Sequence, residues 1–84
     1  MTKEEALADE LVATFAANVR ARRLDLNLTQ AELAERIGAY APYITQIEGG
    51  QRAPYFRNIA KFAIALRCKP AFLFRPVKKL SKTS

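Results

Sequence analysis

Residues 29–50, TQAELAERIGAYAPYITQIEGG, decide the fold, because a helical rhythm breaks in their middle and resumes at once. Thr29 and Glu32 have the spacing of a capping box, in which each side chain satisfies a free backbone N–H of the first turn. Leu33, Ala34 and Ile37 then recur on one helix face, and Gly38 supplies a left-handed stop. The chain restarts through Tyr40-Ala41-Pro42, with Pro42 in the first turn of a new helix, where a missing N–H costs little. Ile44 and Ile47 give this second helix one apolar edge, and Gly49-Gly50 end it. Two helices of about eight residues around a turn of about three have the form of a helix-turn-helix. The apolar edge pins the second helix to a core, so Thr45 and Gln46 face outward. Ala34 is small where the two helices must cross closely.

Outward from this stretch the pattern stays helical. Thr2 and Glu5 form another capping box, and Leu7, Leu11, Phe15 and Val19, joined by Val12, predict a helix over about Lys3–Leu24. Asn27 serves as its left-handed stop. After the loop Gln51–Pro54, a helix is predicted over about Tyr55–Leu66, with Phe56, Ile59, Phe62, Ala63 and Leu66 inward. A short fifth helix is expected over Pro70–Phe74, then a loose basic tail. No segment alternates as a β-strand. The expectation is an all-α fold: a compact bundle of about five helices with a central helix-turn-helix, forming a single domain over residues 1–84.

Composition narrows the function. The chain has 84 residues, half of them apolar, enough for one small and modestly stable domain. No apolar run is long enough to cross a bilayer, and the acidic start MTKEEALADE is unlike a signal peptide. Cys68 is the single cysteine, so no internal disulfide or cysteine zinc site forms, and a reducing, cytoplasmic setting is expected. Histidine is absent, which removes the commonest general base and metal ligand. No nucleophile elbow, P-loop or dinucleotide-binding glycine pattern occurs. The expectation is a non-enzyme with no metal, no cofactor and no evident small-molecule ligand.

Charge points to a different partner. The first ten residues set one lysine against Glu4, Glu5, Asp9 and Glu10, so they carry −3 and the remainder +9 of the net +6. Arg20, Arg22 and Arg23 form one basic cluster; Arg67, Lys69, Arg75, Lys78, Lys79 and Lys82 form another, with no acid between them. Such a field attracts phosphate polymers, which release counterions on binding.

Residues 15–74 resemble the lambda-repressor-like helix-turn-helix family, which includes the phage Cro and repressor proteins. The carrying residues are Phe15, Val19 and Arg23, then Leu28-Thr29-Gln30, Leu33-Ala34, Ile37-Gly38, Ile44, Ile47-Glu48 and Gly50, followed by Arg52, Pro54, Ile59, Ala63, Leu66 and Leu73. Residues 1–14 are then an N-terminal helical extension and 75–84 a basic tail. The resemblance implies that the second motif helix enters the DNA major groove while the N-terminus of the first abuts phosphate.

The resemblance assigns base contacts to Gln30, Ala41, Pro42, Thr45 and Gln46. An amide offers the donor and acceptor that adenine readout requires, and Thr45 or Ala41 suits a thymine methyl. Ala41 and Pro42 are apolar at positions that relatives often fill with polar base readers, which shifts weight to fewer bases and to DNA shape. Phosphate contacts are implied for Thr29, Tyr43, Gly49, Gln51 and Arg52, with Arg20 and Arg22 as outer contacts. Arg23 and Glu48 are implied to pair and to fix the recognition helix. Tyr40 stands where a capping Ser or Thr is usual, and Arg67 where a glycine is usual. A dimer interface through the last helices is implied at Ile64, Phe72, Phe74 and Val77, with Leu7, Leu11 and Val12 as a second candidate surface. The expected function is a sequence-specific transcriptional regulator, a homodimer on double-stranded DNA, of the small type seen in Cro-like repressors, restriction-modification controllers and antitoxins. The alternative is an interaction module that keeps the fold but does not read DNA.

Overall fold

The computed structural model describes residues 1–77. Four α-helices follow one another: α1 Lys3–Asp25, α2 Gln30–Ile37, α3 Ala41–Glu48 and α4 Phe56–Ala65. The expected fifth helix, Pro70–Phe74, is a 3₁₀ segment rather than an α-helix. No strand occurs among the described residues. The basic tail expected over 75–84 lies outside the described residues from Lys78 onward.

The helix starts follow from local chemistry. Both capping boxes form: Glu5 N–H donates to Thr2 Oγ1 at 3.0 Å and Thr2 N–H to Glu5 Oε1 at 2.8 Å, with the same distances for Thr29 and Glu32. The backbone N–H groups of Thr2 and Thr29 hold the Glu5 and Glu32 carboxyls below their ordinary pKa, with the threonine side chains adding to the effect. By contrast, α3 and α4 begin at Tyr40 and Tyr55 without a side-chain cap.

The helix ends share one device. Asn27, Gly38, Gly50 and Arg67 all take left-handed φ values of 55–72°. At each, the N–H donates three residues back and the next N–H five residues back, the pattern of a Schellman end. The pairs are Asn27 to Leu24 with Leu28 to Arg23, and Gly38 to Glu35 with Ala39 to Ala34. The later two are Gly50 to Ile47 with Gln51 to Gln46, and Arg67 to Ile64 with Cys68 to Ala63. The expected stop at Asn27 is therefore observed, and Arg67 adopts the conformation that a glycine would take more easily.

The core comprises Phe15, Val19, Leu33, Ile44, Ile47, Phe62, Leu66 and Leu73, all fully buried. Burying each such side chain stabilises the fold by about 1.5–3 kcal/mol. Phe15 lies edge-on to Phe62 at 5.4 Å and against Phe74 at 5.3 Å. Ala34 is buried in α2 and admits the close α2–α3 crossing. Asn18, buried on the same side of α1 as Phe15, donates through Nδ2 to the carbonyls of Leu73 and Arg75 at 3.0 and 2.8 Å and ties the 3₁₀ segment to α1.

Leu7 and Leu11 are open, as a candidate surface requires, and one expectation about the core, that for Phe56, is corrected. Leu7 and Leu11 are 57% and 45% exposed, because α1 outruns the elements packed against it and its buried residues begin at Phe15. Phe56 is 90% exposed rather than inward: it opens the first turn of α4, Ile59 one turn later is half-buried, and Phe62 is the first fully covered side chain.

Candidate nucleic-acid interface

The second motif helix is held by one edge. Ile44 and Ile47 are fully buried, and Pro42, Thr45 and Gln46 are exposed on the opposite side. Ala41 and Tyr43 are half-buried at the flanks, and Tyr40 is exposed.

The predicted Arg23–Glu48 pair forms in bidentate geometry. Arg23 Nε and Nη2 donate to Glu48 Oε2 and Oε1 at 2.6 and 2.9 Å, and Nη1 donates to the Leu28 carbonyl at 2.8 Å. The two side chains are only 9% and 4% exposed. The hydrogen bonds that Arg23 donates to Glu48 raise its pKa above the ordinary value, against the effect of burial. The pair therefore bolts the last turn of α3 to α1.

Gln30 is drawn into this arrangement. Its Nε2 donates to Glu48 Oε1 at 3.1 Å, and its Oε1 accepts from the Thr45 hydroxyl at 2.7 Å. The Thr45 hydroxyl also lies 3.2 Å from the Ala41 carbonyl. Gln30 and Thr45, each assigned to a base, are thus bonded first to each other.

A second group gathers beside Gln46. Arg52 Nη1 donates to Gln46 Oε1 at 3.3 Å, and its guanidinium lies 5.2 Å from the Tyr43 ring centre. Tyr43 is offset against Phe62 at 6.2 Å and its hydroxyl accepts from Asn58 Nδ2 at 3.0 Å. The Tyr43 hydroxyl proton remains free to donate outward. The same holds for Thr29, whose Oγ1 accepts from Glu32 and keeps its proton for another acceptor.

Other assigned residues are placed differently. Arg22 is turned away from the α3 surface: its Nε donates to the Leu66 carbonyl at 2.8 Å and its Nη2 to Arg67 at 3.3 Å. With Arg36 donating to Ala65 at 3.2 Å, it neutralises the carbonyl end of α4, where a helix carries partial negative charge. Arg20 is exposed on α1 and makes no hydrogen bond to the α3 cluster among the described residues. The N–H groups of Gly49 and Gln51 donate to the Thr45 and Gln46 carbonyls, so neither is free for the backbone phosphate contact expected there.

The residues assigned to a dimer surface divide. Ile64 is 80% exposed and Val77 is exposed, whereas Phe72 and Phe74 are half-buried against the core. Phe74 fills space beside Phe15, and Phe72 lies beneath the Arg75 guanidinium at 5.0 Å. Cys68 is half-buried beside the core, and burial raises its thiol pKa. Sequence reasoning missed Asn18 and Asn58. Asn18 announces itself only as a polar residue between Phe15 and Val19 on a buried face, and Asn58 gives no such signal.

No helix among the described residues is long and apolar enough to cross a membrane. Comparison with known proteins places these features in context. The helix-turn-helix family model HTH_3 matches residues 19–73. The restriction-modification controller protein C.AhdI from Aeromonas hydrophila is 35% identical; the match covers 75% of this chain and 96% of that one, with a TM-score of 0.72. The hypothetical transcription factor NHTF from Neisseria is 32% identical over 79% of this chain and 76% of its own, with a TM-score of 0.75. The P22 c2 repressor, solved in complex with a synthetic operator, is 31% identical over 73% of this chain and 92% of its own, with a TM-score of 0.69. No curated protein matches the sequence significantly.

Proposed function

The chain belongs to the XRE-type helix-turn-helix family, and from that membership we propose that it is a sequence-specific DNA-binding transcriptional regulator. The observation that carries the reading is the grouping of Gln46, Arg52 and Tyr43 on the exposed side of a helix whose other side is buried. A helix of this kind suits the major groove, with Gln46 offering a donor and an acceptor to a base edge and Arg52 supplying charge to phosphate. Gln30 adds a second amide, and Thr45 and Ala41 add methyl groups for thymine contact. Thr29 and Tyr43 donate hydroxyl protons to phosphate. The P22 c2 repressor, solved in complex with a synthetic operator, supports a double-stranded DNA partner for this chain.

The chain acts as a cytoplasmic, non-enzymatic homodimer. Its interface centres on Ile64 and Val77, and its two recognition helices meet half-sites about 34 Å apart on a (pseudo)palindromic operator. Residues 1–84 form one domain, with 1–14 as a helical extension outside the shared family region. Cro-like repressors, restriction-modification controllers and antitoxins are the functional types within this reading.

The rival reading, an interaction module that does not read DNA, draws on the apolar Ala41 and Pro42 and on the exposed aromatics Tyr40, Tyr55 and Phe56. Selection from a random duplex library separates the two. The proposal predicts an enriched, two-fold symmetric motif; no enrichment overturns it in favour of the rival.

A further inference from the structure

The contact between Thr45 and Gln30 has a direction imposed by Glu48. A carboxylate paired with a guanidinium only accepts hydrogen bonds. The Gln30 side chain must therefore turn its NH₂ group to Glu48 Oε1, which lies 3.1 Å away. That choice leaves Oε1 facing Thr45, whose hydroxyl donates to it at 2.7 Å. A hydroxyl has one proton, and the Ala41 carbonyl competes for it only at 3.2 Å. The amide is thus fixed at both ends, through Glu48 to Arg23 and the interior of α1. One N–H and one oxygen lone pair of Gln30 remain for a ligand. That is the complement of the N7 acceptor and N6 donor on the major-groove edge of adenine.

We infer that Thr45 is a positioning residue for Gln30: its hydroxyl orients the Gln30 amide for base readout and does not itself read a base. Resting on the DNA-binding reading above, the inference assigns the hydroxyl's effect on specificity to the base pair under Gln30. A long side chain otherwise spreads over several rotamers, and holding it before DNA arrives lowers the cost of binding.

The test applies the duplex selection to the parent chain and to Thr45→Val, Thr45→Ser, Gln30→Ala and the Thr45→Val/Gln30→Ala pair. Valine keeps the threonine methyl and exchanges the hydroxyl for a second methyl; serine keeps the hydroxyl and loses the methyl. Gln30→Ala is expected to relax one base pair in each half-site. Thr45→Val is expected to relax that same base pair and to weaken binding to the parent motif about five- to tenfold, while Thr45→Ser retains the preference. In the Gln30→Ala background the valine is expected to change affinity less than about twofold, because its target is gone. Circular dichroism of each variant confirms a folded protein. Relaxation of a different base pair by Thr45→Val, additive losses in the double variant, or an unchanged motif each overturn the inference and leave the DNA reading standing. No motif from the parent chain overturns the DNA reading and the inference with it.

Discussion

Glu48 occupies a position that electrostatics disfavours, at the negative end of α3, on a helix proposed to approach phosphates. Its carboxylate is tolerated because Arg23 meets it in bidentate geometry under cover of the fold. Glu48→Ala leaves the Arg23 guanidinium buried and unpaired, and is expected to cost about 3–5 kcal/mol, read as a lower urea midpoint. Exchanging both residues for apolar ones of similar volume is expected to cost far less. Arg67 is a second residue held against its preference, at φ 55°. Arg67→Gly keeps the carbonyl that Arg22 uses and removes the strain, so a gain of about 0.5–1 kcal/mol in thermal unfolding is expected. The Arg23–Glu48 pair was legible in the sequence through the family pattern, and so was the missing glycine at Arg67. The bonds of Asn18 and Arg22 were not, because their carbonyl partners lie 44–57 residues away along the chain. Which polar side chain reaches which carbonyl depends on how α1 packs against the 3₁₀ segment and where that leaves the end of α4, and local spacing says nothing of that.

At the level of elements, capping chemistry made the helix boundaries readable. Thr29 with Glu32 starts α2, and a left-handed residue ends every α-helix. The Glu32 carboxyl is lowered from its ordinary pKa of 4.5, chiefly by the Thr29 backbone N–H. A folded-state pKa below the unfolded one gives stability that is present above the unfolded value and is lost as pH falls through the folded one. Acidification through and below the ordinary carboxylate range is therefore expected to weaken the parent. Glu32→Gln, which keeps an acceptor but does not titrate, is expected to show a flatter dependence of the urea midpoint on pH. Helical spacing told correctly which face of α4 holds Phe62 and Leu66, yet it put Phe56 inside. Periodicity identifies a face but not how far the neighbouring elements extend along it.

For the molecule as a whole, the acidic first turns and the basic remainder divide the charge between a free-standing helix end and the body that carries α3. Ile64 stands exposed on α4 in a shallow groove with Arg36 and Lys61 at its rim, while Phe72 and Phe74 are committed to the core. If α4 forms the two-fold interface, Ile64→Asp yields a monomer by sedimentation equilibrium at concentrations where the parent is a dimer; an unchanged dimer moves the interface elsewhere. The proposed function rests on base reading by the exposed edge of α3. Its most direct test is the affinity of the parent and of Gln46→Ala for the selected duplex and for a scrambled one across a range of salt. Parent affinity is expected to fall steeply with salt on both duplexes, and Gln46→Ala to lose about 1–3 kcal/mol on the selected duplex alone. Parent affinity that is indifferent to salt, or equal on the two duplexes, would contradict it.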